Sequence, residues 1–189
     1  MLPIWITTLP KLDNWQEHYD DLHNQCLNYV GPWLSSNFEI QDPKGVWAKV
    51  YDQFIDKTQE ILGPLNIHHN VNKRSCWLYS MNRKFYKGGI HHHINSSIVN
   101  AVYYFSIPDI TDYRDSAIAF YDKNDEEFWH YKPREGDLVI FPNYLKHQPL
   151  PTKSEKFRFS INMEIICDWP KAFGTAPEGG CGKEDDEVV

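Results

Sequence analysis

Seven short runs rich in Val, Ile, Tyr and Phe succeed one another between residues 75 and 166, and turn-forming residues separate them. The runs fall at residues 75–81, 90–94, 98–107, 117–121, 127–132, 137–142 and 156–166. The turns are Lys87-Gly88-Gly89, Pro108-Asp109 and the segments 122–125, 133–136 and 149–152. β-Branched and aromatic side chains suit a pleated, half-buried surface, whereas Gly, Pro, Asn and Asp supply the dihedrals that end a strand. A string of such strands buries its apolar faces by stacking sheet on sheet or by closing into a barrel.

The first third has a different period. In residues 14–29, Trp15, Tyr19, Leu22, Cys26 and Tyr29 recur at helical spacing, and Gly31-Pro32 closes the run. A second helix is expected over 45–62, with Val46, Val50, Phe54, Ile55, Thr58 and Leu62 as its apolar stripe and Gly63-Pro64 as its stop. Both stripes read as faces packed on a sheet. Two helices followed by seven or eight strands give a mainly β fold with N-terminal helices: a double-stranded β-helix (jelly roll, cupin-like) backed by two helices. A Greek-key sandwich without a metal fits the same pattern. The 189 residues suit one domain. It is expected over 1–172, with helical support at 1–65 and the β-helix core at 66–168. Residues 173–189, rich in Gly and acid, read as a mobile tail.

Composition weighs against several classes of function. A net charge of −7 and a pI of about 5.7 argue against nucleic acid as a partner, since phosphates are usually held by clustered Lys and Arg. Cys26, Cys76, Cys167 and Cys181 form no C-x-x-C pair or framework spacing, so reduced thiols in a cytoplasmic protein are expected. The opening MLPIWITTLP lacks the basic and long apolar regions of a signal peptide. No stretch approaches the roughly 20 apolar residues that span a bilayer. A soluble, cytoplasmic protein with no membrane partner is the expectation. Nothing in the sequence sets its oligomeric state.

Nine histidines are present, three of them consecutive: His91-His92-His93. Side chains alternate along a strand, so His91 and His93 share a face and His92 takes the other. Two imidazoles so placed can occupy adjacent corners of a metal's coordination sphere, although a solvent-facing run of His has the same sequence. The apolar strand Leu138-Val139-Ile140-Phe141-Pro142 leads to His147, expected on a loop at the rim of the sheet. From there it can complete a facial triad, or be an ordinary polar loop residue. In Arg158-Phe159-Ser160-Ile161-Asn162, alternation puts Arg158, Ser160 and Asn162 on one face and the apolar residues on the other. An inward Arg calls for an anion, and its fork fits a carboxylate. A structural salt bridge is the plain alternative.

The order is thus His-x-His, a distant His, then Arg-x-Ser eleven residues after it (147 to 158). In this, residues 88–162 resemble the 2-oxoglutarate/Fe(II) oxygenase superfamily. The likeness is to a bacterial and phage branch with H-x-H-x-N-S, a Tyr-Tyr strand, G-D-L-x-x-F-P, a His and R-x-S-x-N. The matching residues are His91, His93, Asn95-Ser96, Tyr103-Tyr104, Gly136-Asp137-Leu138, Phe141-Pro142, His147, Arg158, Ser160 and Asn162.

The resemblance implies a non-haem iron dioxygenase. His91, His93 and His147 would hold Fe(II). Arg158, with Ser160 and with Tyr79 on a neighbouring strand, would hold the far carboxylate of the co-substrate 2-oxoglutarate. O2 would be the oxidant, and hydroxylation of an unactivated C–H would release succinate and CO2. Most of the superfamily has His-x-Asp/Glu before the last His, so the second ligand stays open between His93, Asn95 and a carboxylate of the 109–115 loop. The family points to a small-molecule or peptide/protein side-chain substrate, with a prolyl or other amino-acid side chain foremost. Tyr103, Trp129 and Tyr144 are candidates to line its pocket. A cupin-like protein that binds a metal or small ligand without turnover explains the histidines equally well but leaves Arg158 idle. So does a zinc hydrolase with three His and a water.

Overall fold

The computed structural model describes residues 3–30, 36–40, 42, 44–63, 75–86, 88–94, 97–109 and 112–165. Asn95, Ser96, Cys167, Cys181 and the tail expected at 173–189 lie outside the described residues. The elements are β1 (Trp5–Thr8), α1 (Trp15–Val30), β2 (Ser36–Glu39), α2 (Val46–Leu62), β3 (Ser75–Met81) and β4 (Val99–Ser106). After them come β5 (Ile118–Tyr121), β6 (Glu127–Tyr131), β7 (Asp137–Pro142), β8 (Lys146–Pro149) and β9 (Arg158–Ile165). A six-stranded sheet runs β1-β7-β4-β9-β3-β2 and a three-stranded sheet runs β6-β5-β8. Every pairing is antiparallel. This mainly β, helix-backed pair of sheets is the double-stranded β-helix that the strand pattern and motifs lead one to expect.

Alternation sorts the large sheet into two faces. Ala101, Tyr103, Phe105, Leu138, Ile140, Phe159, Ile161 and Met163 pack outward with Leu22 and Cys26 of α1 and Val50 and Phe54 of α2. On the inner face, Val102, Tyr104, Val139 and Phe141 meet Ile118 and Phe120 of the small sheet. Burying these side chains, at roughly 1.5–3 kcal/mol each, is what holds helices, large sheet and small sheet in three layers. The candidate site residues of β3, β4 and β9 come from the inner face, between the sheets.

Local chemistry fixes the frame. The Asp42 carboxylate accepts the N–H groups of Val46 and Ala48, satisfying orphan donors in the first turn of α2. The face that α2 buries is Trp47, Val50, Tyr51, Phe54 and Thr58. Leu62 of the expected stripe is exposed. Trp47 stands edge-on to Phe105 and the Tyr51 hydroxyl donates to the Glu164 carbonyl, so two aromatics outside that stripe join Val50 and Phe54 in docking the helix. At the β6–β7 turn, Gly136 has φ 88°, and a Cβ there would meet the Leu9 carbonyl oxygen at 3.1 Å. Beside it, buried Asp137 accepts hydrogen bonds from Thr8 Oγ1, Tyr131 Oη and the Arg134 N–H.

Three strands are additional to the sequence reading: β1, β2 and β8. The strand expected at 90–94 is instead one isolated bridge, His91 with His147, because Gly88-Gly89 precedes it and the chain turns at Ile94. Among the described residues, no helix is long and apolar enough to cross a membrane.

Candidate metal centre

His91, His93 and His147 converge, with one ligand atom from each all lying within 4.8 Å of one another. Ring centroids are 5.1 Å apart for His91 and His93, 4.3 Å for His91 and His147, and 5.2 Å for His93 and His147. Although 90–94 is not a strand, the extended chain at the bridge still sends His91 and His93 the same way. His92, between them, is exposed and takes no part in the cluster. His147 corrects the sequence reading: it sits within β8, opposite Phe120 of β5, not on a loop. Its neighbours in β8, Lys146 and Gln148, are polar, which hid the strand.

The partners of the rings set their tautomers. Nδ1 of His91 lies 2.9 Å from the Gly89 carbonyl, Nδ1 of His147 lies 3.0 Å from the Leu145 carbonyl, and Nδ1 of His93 lies 2.7 Å from Glu164 Oε1. Carbonyl and carboxylate oxygens accept, so each Nδ1 carries a proton, and in His91 and His147, whose pKa values are lowered, Nε2 keeps the lone pair. That is the state in which imidazole ligates a metal, with its other nitrogen held by an outer partner. His147, 5% exposed, has its pKa well below the usual 6.5, chiefly through burial and then through the neighbouring His91. Loss of solvation around the ring lowers His91 as well, although the residue stands at the exposed rim. Neutral rings at neutral pH are ready ligands. Asp112 and Asp115, in the loop considered as a carboxylate donor, instead engage Lys153 and Ser116.

The inner face of the large sheet continues from this centre in cross-strand rows. Glu164 is opposite Asn100; Asn162 lies between Trp77 and Val102; Ser160 lies between Tyr79 and Tyr104; Arg158 is opposite Met81. Tyr79 and Ser160, both expected near an anion, are therefore direct neighbours on the face that carries Arg158. Tyr103, by contrast, faces the helices and packs in the outer core, so it does not line the pocket. Tyr144 is 57% exposed, and Trp129 stacks on Phe120 in the inner core.

Arg158 is 1% exposed. Its guanidinium lies 4.8 Å above the Tyr104 ring and 3.7 Å from Met81 Sδ, and its Nε has no hydrogen-bond partner. Among the described residues, the buried side-chain polar atoms left without a hydrogen bond are Arg158 Nε, Tyr104 Oη and Asn100 Nδ2. All three are on the inner face of β4 and β9. Burial pushes the Tyr104 hydroxyl up to about 12, so it is a proton donor at neutral pH. A buried cation and unsatisfied donors, on the sheet face that leads toward three converging imidazoles, fit a metal with a carboxylate-tailed co-substrate. Sequence reasoning missed Tyr104 and Glu164 as site residues. Alternation carried two positions beyond Asn162 puts Glu164 on the Arg158 face, and in a Tyr-Tyr pair it sends one ring to each side.

Residues 75–164 match the family model described as "Putative 2OG-Fe(II) oxygenase", a span that holds the three histidines, Arg158 and Glu164. This span, just under half of the chain, is similar to the 2-oxoglutarate/Fe(II) oxygenases, whose cofactors are Fe(II), 2-oxoglutarate and O2, and the histidine triad fits the iron. Solved structures share the fold. A prolyl-4-hydroxylase from Pseudomonas putida has 13% identity and a TM-score of 0.59, over 88% of this chain and 94% of that one. A prolyl hydroxylase from Trichoplax adhaerens, in complex with a hypoxia inducible factor oxygen degradation domain peptide fragment, has 15% identity and a TM-score of 0.61, over 92% and 88%. The non-heme α-ketoglutarate-dependent carbocyclase SnoK from nogalamycin biosynthesis has 10% identity and a TM-score of 0.57, over 97% and 90%. At these identities the likeness is one of fold. No curated protein sequence matches the chain.

Proposed function

We propose that this protein is a 2-oxoglutarate-dependent dioxygenase that hydroxylates an unactivated C–H, on a prolyl or other amino-acid side chain, free or within a peptide. In this reading His91, His93 and His147 hold Fe(II), and Arg158, Ser160 and Tyr79 hold 2-oxoglutarate, with Tyr104 as a further donor. A single cytoplasmic catalytic domain over 1–172 is part of the same proposal. The observation that carries it is the set of unsatisfied donors, Arg158 Nε, Tyr104 Oη and Asn100 Nδ2, on the face that also leads to the triad. A metal-only binding protein or a zinc hydrolase leaves that set without a purpose.

When bound, iron and 2-oxoglutarate supply the oxygen chemistry: substrate C–H, O2 and 2-oxoglutarate become substrate C–OH, succinate and CO2. The chain's own residues bind, orient and exclude water. Arg158 pairs with the far carboxylate in a dry site, where a charge-assisted hydrogen bond is worth about 1.5–3 kcal/mol. Met81, Val102, Phe120 and Phe141 wall the space between the sheets, and exclusion of water strengthens each polar contact inside. The prolyl hydroxylases among the structural neighbours make prolyl peptides the first substrates to offer. The carbocyclase shows the fold serving small-molecule chemistry too.

Anaerobic titration with Fe(II) and 2-oxoglutarate tests the reading. A visible metal-to-ligand charge-transfer band is expected with wild type, and Arg158→Ala should need far more 2-oxoglutarate to reach it. Metal uptake with no band, and no succinate in air, would leave a cupin-like binder in its place.

A further inference from the structure

The centre combines three imidazoles with one buried carboxyl group that is not a member of the ligand cluster. Glu164, 6% exposed, presents Oε1 to His93 Nδ1 at 2.7 Å. Its place is fixed from several directions. Its main chain is paired with Ser75 on β3 and Asn100 on β4, and its carbonyl accepts the Tyr51 hydroxyl at 2.6 Å. His91 and His147 are treated differently, since each gives its Nδ1 proton to a main-chain carbonyl. One ring of the three is therefore backed by a carboxylate side chain and two by main-chain dipoles.

We propose that Glu164 is a positioning residue for the metal: it fixes His93 with Nε2 toward the ion and delivers through that imidazole the negative charge that a two-histidine, one-carboxylate triad carries on a direct ligand. The proposal rests on the metal site described under the proposed function, and it assigns the open second ligand to His93. A carboxylate on Nδ1 raises the basicity of the ligating nitrogen, and such outer partners are worth about 10–100-fold in metal affinity. In a buried setting a unit charge is only weakly screened, so the same carboxylate stabilises Fe(III) over Fe(II) and holds the potential of the couple down.

Co(II) titration of the full chain, without 2-oxoglutarate, tests this. Wild type should bind Co(II) with a visible ligand-field spectrum. Glu164→Gln keeps size and an acceptor but removes the charge, and should bind about 10–100-fold more weakly with a shifted spectrum. Its metal-free unfolding midpoint should stay close to that of wild type. On iron, the same variant should raise the Fe(III)/Fe(II) midpoint potential. Glu164→Asp, which keeps charge but shortens the reach, should fall between the two and serves if the Gln variant does not fold. An unchanged Co(II) affinity and spectrum in folded Glu164→Gln overturns the proposal, whatever happens to its stability. Failure of wild type itself to take up Co(II) overturns the metal site and this inference together, so the two failures are distinct.

Discussion

His91 and His147 exchange main-chain hydrogen bonds, His91 N–H to the His147 carbonyl at 3.1 Å and His147 N–H to the His91 carbonyl at 2.9 Å. This bridge ties the segment to β8, with the His93 N–H donating to the Asn143 carbonyl as a second anchor, and the two rings lie 4.3 Å apart. Because backbone holds the geometry, deleting one ring should leave the others in place. His91→Ala and His147→Ala are each expected to weaken Fe(II) binding by more than about 100-fold, beyond what loss of an outer partner costs. His92→Ala should bind as wild type does. Anaerobic calorimetry distinguishes them, and equal losses from all three would contradict the shared-face arrangement.

Arg158 is a buried cation with no carboxylate among its contacts in the described residues. An uncompensated buried charge destabilises the free protein, and an apolar side chain of similar length relieves that cost. Arg158→Met is therefore expected to weaken 2-oxoglutarate binding by roughly 2–3 kcal/mol and yet to leave the ligand-free protein as stable as wild type or more so. Thermal melts with and without 2-oxoglutarate read both effects. A variant that loses stability and binds normally would contradict the assignment.

The lowered His147 and His91 give the metal-free protein a pH dependence of known sign. The unfolded chain takes up protons near the usual 6.5, while burial keeps the folded rings neutral to lower pH. The unfolded state thus binds more protons between the folded values and 6.5. Stability should be full above about 6.5 and decline as pH falls through that window. The carboxylates with lowered values, such as Glu127, titrate below their usual 4.5 and act in more acid solution. Melting temperature against pH for wild type and His147→Gln is the measurement, and the variant should show the flatter decline.

Asp137 gathers Thr8, Tyr131 and the Arg134 N–H at the turn between β6 and β7, far along β7 from the histidines. Asp137→Ala leaves those donors unpaired and should cost about 2–4 kcal/mol of stability, with metal affinity of the folded protein unchanged. Urea unfolding together with Co(II) titration checks both halves.

The elements legible in the sequence were those whose apolar residues face a core. β4, β7 and β9 carry alternating or continuous apolar side chains, and α1 and α2 a helical stripe. β1, β2 and β8 were not, because Trp5–Thr8 and Ser36–Glu39 are four-residue edge strands and Lys146–Pro149 is polar and ends in proline. Their pairing is imposed by partners distant in the chain, which no local pattern records. The triad was legible from His-x-His and a later His, but the strand supporting His147 was not. Arg158 and Ser160 were legible by alternation. Glu164 was hidden because a glutamate at the end of a strand looks like a solvated one until its partner, His93, folds against it.

β1 pairs residue by residue with Asp137 to Ile140 of β7, and β7 is the most apolar run of the chain. Without those four residues, an exposed strand of Leu, Val, Ile and Phe would present an open row of amides to any other copy of itself. The segment Trp5–Thr8 therefore serves as a guard against self-association as well as a piece of sheet. Trimming the chain from its start should produce turbidity in solution before any loss of the histidine cluster.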